Sequence, residues 1–170
     1  RLDVNAGELT NGGTAQGSDV TLKGQTVTNS GTLQSAGNLA LSAGTLAQRG
    51  TLSAKGNANV TAQQTLRNDG SLLADGAMNV TAGVLEQNGT LSGATALTAQ
   101  AGTLTSGQAS RTTSQGNIQI TATRSASLNG QTDAAGAVTV SAGDLTTGPD
   151  AHLQSGQGLT LQAQSAALNG

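Results

Sequence analysis

The feature that most constrains this chain is a degenerate repeat of about 19–20 residues. The recurring phrase is an apolar-x-apolar-Ser/Thr-Ala stretch, followed by a leucine and then by Gly-Thr-Leu or Gly-Ser-Leu. Its clearest copies lie within 39–52, 58–72 and 78–91. A repeat of this length is typical of a solenoid, because each unit can bury its apolar residues only against its neighbours.

The second apolar residue of the phrase marks nine copies of the repeat. These residues are Val4, Leu22, Leu41, Val60, Val80, Leu97, Ile120, Val140 and Leu161. They are 18, 19, 19, 20, 17, 23, 20 and 21 residues apart. The nearly constant spacing predicts a regular stack with small insertions between fixed points.

Within each copy, apolar residues alternate with polar ones, as in Leu39, Leu41 and Ala43. This period of two is typical of a short strand with one buried face. Gly, Asn and Asp separate the strands, and these residues tolerate positive φ and turn the chain tightly. The sequence therefore predicts an all-β fold, a right-handed parallel β-helix (β-solenoid). It has about nine coils, each with three short strands and a rise of about 4.8 Å.

Equivalent residues of a solenoid lie above one another, so the repeat predicts three inward ladders. The first strand contributes Ala43, Ala62, Ala82, Ala99, Ala122, Ala142 and Ala163. The second contributes Leu9, Val27, Leu46, Leu66, Leu85, Leu104, Leu128, Leu145 and Leu168. The third contributes Leu33, Leu52, Leu72, Leu91, Thr112, Thr132 and Leu153. So narrow a core suits a chain that has no aromatic residue.

Two polar ladders accompany the apolar ones. An outward Ser/Thr ladder is predicted at Ser42, Thr61, Thr81, Thr98, Thr121 and Ser141. Asparagines that follow the second inward ladder are expected to hydrogen-bond from coil to coil, namely Asn29, Asn68, Asn88, Asn129 and Asn169. The pattern weakens around 104–116, where we expect a bulge, a local widening or a loop.

Charge is scarce and dispersed, at 9% of residues with a formal net charge of −2. The basic residues form no stripe and no aromatic ring is available for base stacking, so we expect no nucleic-acid partner. No apolar run approaches the ~18 residues of a membrane span, so no membrane insertion is expected. The absence of cysteine excludes disulfides and thiolate metal sites.

No catalytic, cofactor-binding or metal site is predicted, and we expect no enzyme and no cofactor. The densest charged group, Arg67 with Asp69 and Asp75, is interpreted as a solvated turn. His152 is the sole imidazole and lacks a second histidine for a metal site or dyad. The Gly-x-Gly at 156–158 is interpreted as a turn, because no helix follows it.

The phrase Asn-x-x-Val-Thr-Ala-x-x-x-Leu-x-Asn-x-Gly-x-Leu at 57–72 resembles the haemagglutinin repeat. That repeat builds the shafts of filamentous haemagglutinins and of contact-dependent growth inhibition exoproteins, and the resemblance covers essentially the whole chain. It implies that 1–170 is a single repeat-array segment of a much longer filamentous protein. It also implies secretion to the exterior of the Gram-negative outer membrane through a two-partner secretion transporter.

The resemblance implies a structural shaft segment that projects a distal binding or effector region. It does not separate an adhesin from a toxin-delivery exoprotein, since both use the same shaft. A third hypothesis is a carbohydrate- or host-surface-binding module that acts through the outer Ser/Thr faces. The expected partners are neighbouring repeats of the same chain, the outer-membrane transporter during export, and a host or target-cell surface receptor.

Overall fold

The computed structural model describes all 170 residues as one parallel β-solenoid of nine coils. Seventeen strands form two sheets, and every strand pair is parallel. Each complete coil consists of one long strand and one four-residue strand, and the ninth coil has only the long one. The predicted fold class is therefore confirmed.

The long strands form the nine-stranded sheet, in chain order along the axis. They are β1 (Leu2–Asn11), β3 (Val20–Asn29), β5 (Leu39–Gln48), β7 (Ala58–Asn68), β9 (Ala77–Gln87), β11 (Ala96–Ser106), β13 (Asn117–Leu128), β15 (Ala137–Thr147) and β17 (Gly158–Leu168). The short strands form the eight-stranded sheet. They are β2 (Thr14–Gly17), β4 (Thr32–Ser35), β6 (Thr51–Ala54), β8 (Ser71–Ala74), β10 (Thr90–Gly93), β12 (Arg111–Ser114), β14 (Gln131–Ala134) and β16 (His152–Ser155).

The prediction of three strands per coil was wrong in one respect. The first and second predicted strands are continuous, so that Leu39, Ala43 and Leu46 all lie on β5. Only two residues, Gly44 and Thr45, separate the two inward residues Ala43 and Leu46. The chain does not leave the sheet at this link, because pairing with the neighbouring coil resumes at Thr45.

The narrow interior holds one apolar cluster of 34 buried residues. The third predicted ladder is confirmed in full, with Ala15 preceding Leu33 in the register. Leu66 lies between Leu46 and Leu85 in the second ladder, as predicted. Buried area in this molecule thus comes from stacking like residues along the axis.

The sixth copy was misplaced by two residues. Ala99 pairs with Val80 and Ile120, so it occupies the position that was assigned to Leu97. Ala101, rather than Ala99, continues the alanine ladder. Leu97 resembles the Val and Leu residues of that row more than Ala99 does, so side-chain similarity alone points to the wrong residue.

Two members of the second ladder were also wrong. Ala126 pairs with Leu104 and Leu145, and Ala166 pairs with Leu145, where Leu128 and Leu168 had been expected. Leu128 and Leu168 lie two residues further along, in a row that is polar in the first coils. Both errors have the same cause. An alanine occupies the position of the ladder leucine, and a leucine follows two residues later in a row that is otherwise polar.

With the register corrected, the repeat has a basic period of 19 residues. The aligned residues are Val4, Leu22, Leu41, Val60, Val80, Ala99, Ile120, Val140 and Leu161. One extra residue enters as a register shift within β7 and another within β13. Two extra residues enter at each of the turns 107–110 and 148–151. A backbone hydrogen bond between the first and last residue closes each turn. The first of these turns lies in the region where irregularity was predicted.

The glycine row between the long and short strands is required by close packing between coils. A Cβ at Gly50 would overlap the carbonyl oxygen of Gly31, and one at Gly31 would overlap that of Gly13. The turns do not use the tolerance of these residues for positive φ, because only Gly158 has a positive φ, of 146°. Glycine serves here to let one coil approach the next at a strand spacing.

We expect Gly50→Ala to destabilise the solenoid by about 1–3 kcal/mol, because the added methyl group overpacks two coils. The carbonyl of Gly31 cannot easily move away, since it accepts a hydrogen bond from the N–H of Thr51 at 2.9 Å. Gly13→Ala is the matched control, because Gly13 lies in the same row and its Cβ would contact nothing within 4 Å. Thermal unfolding followed by circular dichroism measures both, and equal melting temperatures would contradict the close-packing explanation.

Candidate functional site: the axial ladders and the outer surface

A ladder of buried side-chain amides runs along the interior corner where each long strand ends. Its members are Asn11, Asn29, Gln48, Asn68 and Gln87, which pair in register from coil to coil. The last four are buried. Stacked amides can satisfy one another because each carries both donors and an acceptor.

The amide hydrogen bonds point one way along the axis. Asn29 Nδ2 donates to Gln48 Oε1 at 2.9 Å and to the carbonyl of Thr51 at 3.1 Å. Asn11 donates in the same manner to Asn29, and Asn68 to Gln87. In each case the donor belongs to the earlier coil and the acceptor to the later one.

Glutamine interrupts this chain of hydrogen bonds. Gln48 Nε2 donates to the carbonyls of Gly50, at 2.9 Å, and Ser71, at 3.1 Å, and does not reach Asn68. The Oδ1 atom of Asn68 is consequently buried without a hydrogen-bond partner. The longer side chain therefore exchanges an amide–amide bond for a bond to its own turn.

The sequence located this ladder only in part. Asn29 and Asn68 belong to it, but Asn88, Asn129 and Asn169 lie one residue later in their coils. The glutamines Gln48 and Gln87 were missed. The usable signal was an Asn or Gln two residues after the second-ladder residue in each of the first five coils.

A second polar ladder lies outside, at the turn before each long strand. The side-chain oxygen of Asp19 accepts from the N–H of Asn38, and that of Asn38 accepts from Asn57, both at 2.9 Å. Asn57 and Asn117 accept from Ala77 and Ala137 in the same way. The Gly-Asn turns at 37–38, 56–57 and 116–117 thus join successive coils.

The outward Ser/Thr ladder is confirmed except at one position. Ser42, Thr61 and Thr81 pair in register and are exposed. Gln100 takes the next position, and Thr98 belongs to the neighbouring outer row between Asn79 and Gln119. Both outer rows carry no charged residue from the third coil to the ninth. Their members are Ala40, Asn59, Asn79, Thr98, Gln119, Thr139, Thr160, Ser42, Thr61, Thr81, Gln100, Thr121, Ser141 and Gln162.

The charged group predicted at residues 67–75 divides into two separate ion pairs. Arg67 Nε contacts Asp69 Oδ2 at 2.8 Å, and Lys55 Nζ contacts Asp75 Oδ2 at 3.2 Å. Donation by the Asn88 amide, followed by that of Arg67, lowers the pKa of Asp69 although desolvation opposes the shift. A carboxyl group with a lowered pKa is a poor general acid near neutrality.

The remaining candidates are likewise placed on the surface. His152 is exposed, and its Nε2 lies 3.1 Å from Gln154 Oε1. The Gly156–Gly158 segment is the turn before β17. No three His, Asp or Glu side chains are grouped so that they could hold a metal ion. The structure contains no helix that is long and apolar enough to cross a membrane.

These features define a structural class: a parallel β-solenoid joined by axial ladders inside and outside. A family model described as the haemagglutinin repeat matches residues 1–47, 34–89, 80–129 and 133–170. The chain therefore belongs to the haemagglutinin repeat family, whose members are typically structural or adhesive proteins secreted to the cell surface. Neither a curated protein nor a solved structure matches the chain.

We expect Asn29→Leu to cost about 1–3 kcal/mol of stability, because Gln48 Oε1 loses its donor in a buried setting. Asn59→Leu is the control, since Asn59 is an exposed asparagine that accepts from Asn79 Nδ2 on the outer face. Urea denaturation of both variants makes the comparison. Equal losses would show that the buried ladder adds nothing beyond a surface asparagine pair.

Proposed function

We propose that this chain is a shaft segment of a secreted bacterial surface filament of the filamentous haemagglutinin type. One observation carries the proposal: nine coils stack in chain order along one axis, and each pairs with the next through parallel strands. At a strand spacing of about 4.8 Å per coil, such a stack supplies length. A shaft of this kind holds a distal binding or effector region away from the cell.

The family supports export to the cell surface, and we extend the proposal to secretion through an outer-membrane two-partner transporter. The shaft role is the same whether the distal region is an adhesin or a growth-inhibiting toxin. We favour the adhesin filament because the matched family is named for haemagglutination. The proposal assigns no enzymatic activity to the segment, in which no acid–base cluster is assembled on either sheet.

Removing a whole coil tests the shaft role. Deletion of 39–57 joins Asn38 to Ala58, and Ala58 occupies the register position of Leu39. We expect this variant to fold and to be shorter by about 4.8 Å in small-angle scattering. In the filament that carries the segment, the distal activity is expected to persist at reduced reach.

Deletion of only 39–48 is the control, because it removes one long strand and leaves the coil incomplete. This variant is expected to lose its cooperative unfolding transition. The shaft role would be wrong if the whole-coil deletion lost its cooperative unfolding transition as the partial deletion does. It would also be wrong if the whole-coil deletion abolished the distal activity.

A second candidate function is favoured by the uncharged outer rows of the long-strand sheet. They extend for about 30 Å over seven coils, and they present hydroxyl and amide groups. A neutral, hydroxyl-rich glycan could hydrogen-bond to such a face without displacing an ion pair. This surface would make the segment a binding module as well as a spacer.

Glycan-array binding decides between the two functions. The double variant Thr61→Lys and Thr81→Lys places two charges on the face, whereas Gln34→Lys and Gln131→Lys place them on the exposed side of the other sheet. The pure-spacer function is overturned if the unmodified segment binds a glycan reproducibly and only the variant at Thr61 and Thr81 abolishes that binding. If the segment alone binds no glycan, the binding-module candidate is wrong.

A further inference from the structure

The sixth coil, residues 96–114, has small side chains at inward positions where its neighbours have larger ones. Ala99 stands where the neighbouring coils have Val80 and Ile120. In the amide-ladder row, Ser106 stands between Gln87 and Leu128. Smaller side chains thus occur at two inward positions of the same coil.

A third position of the same coil introduces a buried hydroxyl. Thr112 follows Leu91 in the ladder of the short-strand sheet and is buried. Thr132 of the seventh coil continues the change before Leu153 restores the leucine. The apolar third ladder is therefore interrupted at the point where the amide ladder ends.

The undersized side chains leave a cavity of about 10 Å³ centred on this coil. Its walls include Ala99, Ser106 and Thr112 of the sixth coil, together with Leu91, Ile120 and Leu128 of the neighbouring coils. A void of this size removes van der Waals contacts from the residues that line it. The cost falls on the two interfaces that the sixth coil makes with its neighbours.

The ladder of side-chain amides also ends before this coil, where Ser106 follows Gln87. Gln87 Nε2 donates to the backbone carbonyls of Gly89 and Arg111, at 3.0 and 3.2 Å, and to no side chain of the sixth coil. The backbone changes as well, because the turn 107–110 carries two more residues than the corresponding turns of the preceding coils. Reduced packing, the end of the amide ladder and a longer turn thus coincide at one coil.

We propose that the sixth coil is a built-in weak point at which the solenoid opens before any other interior coil. In a stack whose stability is the sum of coil and nearest-neighbour terms, the weakest interface determines where local unfolding starts. Opening there separates the five preceding coils from the three that follow, while both blocks keep their own ladders. The rod yields at one place under load and recovers by refolding a single coil. This property follows from the packing and holds whatever the filament carries.

Hydrogen exchange read by mass spectrometry tests the proposal on the intact chain. Amides of 96–114 are expected to exchange about tenfold faster than those of the fourth and fifth coils, 58–93, because local opening exposes them. Ala99→Val fills the cavity and should reduce this excess. Gln100→Val is the matched control, since it adds the same β-branched residue to the outer face of the same strand.

Thr112→Leu is a second filling variant, and it guards against overpacking at residue 99. It restores the leucine of the third ladder and should also protect 96–114. The proposal is overturned if the sixth coil exchanges no faster than the fourth and fifth. It is equally overturned if neither filling variant slows exchange, or if Gln100→Val slows it as much as Ala99→Val does.

Discussion

The rest of the structure depends on one distance, the spacing of about 4.8 Å between parallel hydrogen-bonded strands. Apart from the few inserted residues, each residue has a counterpart one strand spacing away in the next coil, so a side chain fits only if it tolerates a similar one directly above. Leucine, alanine, threonine and amide side chains meet this condition. The same spacing excludes a Cβ at Gly31 and Gly50, where one coil passes over the carbonyl of the previous one. Composition, glycine placement and ladder chemistry are therefore consequences of a single constraint.

That constraint explains how much the sequence could predict. The coil number, the parallel sheets and the third ladder follow from the period, because stacking forces the same residue types to recur. The errors at Leu97, Leu128 and Leu168 arose where the recurrence is broken by an alanine in a leucine or valine position. At those positions backbone hydrogen bonds fix the register, and these bonds do not depend on which side chain is present. The buried amide row was only half visible for a related reason, since Asn and Gln are interchangeable in stacking but differ in reach.

The functional surface was predictable to a different degree. The outward orientation of Ser42, Thr61 and Thr81 follows from the period of two, and the structure agrees. The separation of Asp69 from Asp75 depends instead on which corner of the coil each turn occupies. Such exposed ion pairs contribute little to stability. The molecule relies on burial and on ladders, which fits a chain of which only 9% is charged.

The one-way amide ladder gives the rod a chemical direction. Where the ladder carries asparagine, the edge that faces later coils presents side-chain N–H groups, as Asn29 does toward Gln48, and the facing edge of the next coil presents a side-chain oxygen. A newly forming coil can therefore be added productively in one orientation only, much as a crystal face accepts molecules in one alignment. A coil inverted end for end would meet donor with donor and acceptor with acceptor. The polar interior thus acts as a template that selects orientation, while the apolar interior supplies most of the cohesion.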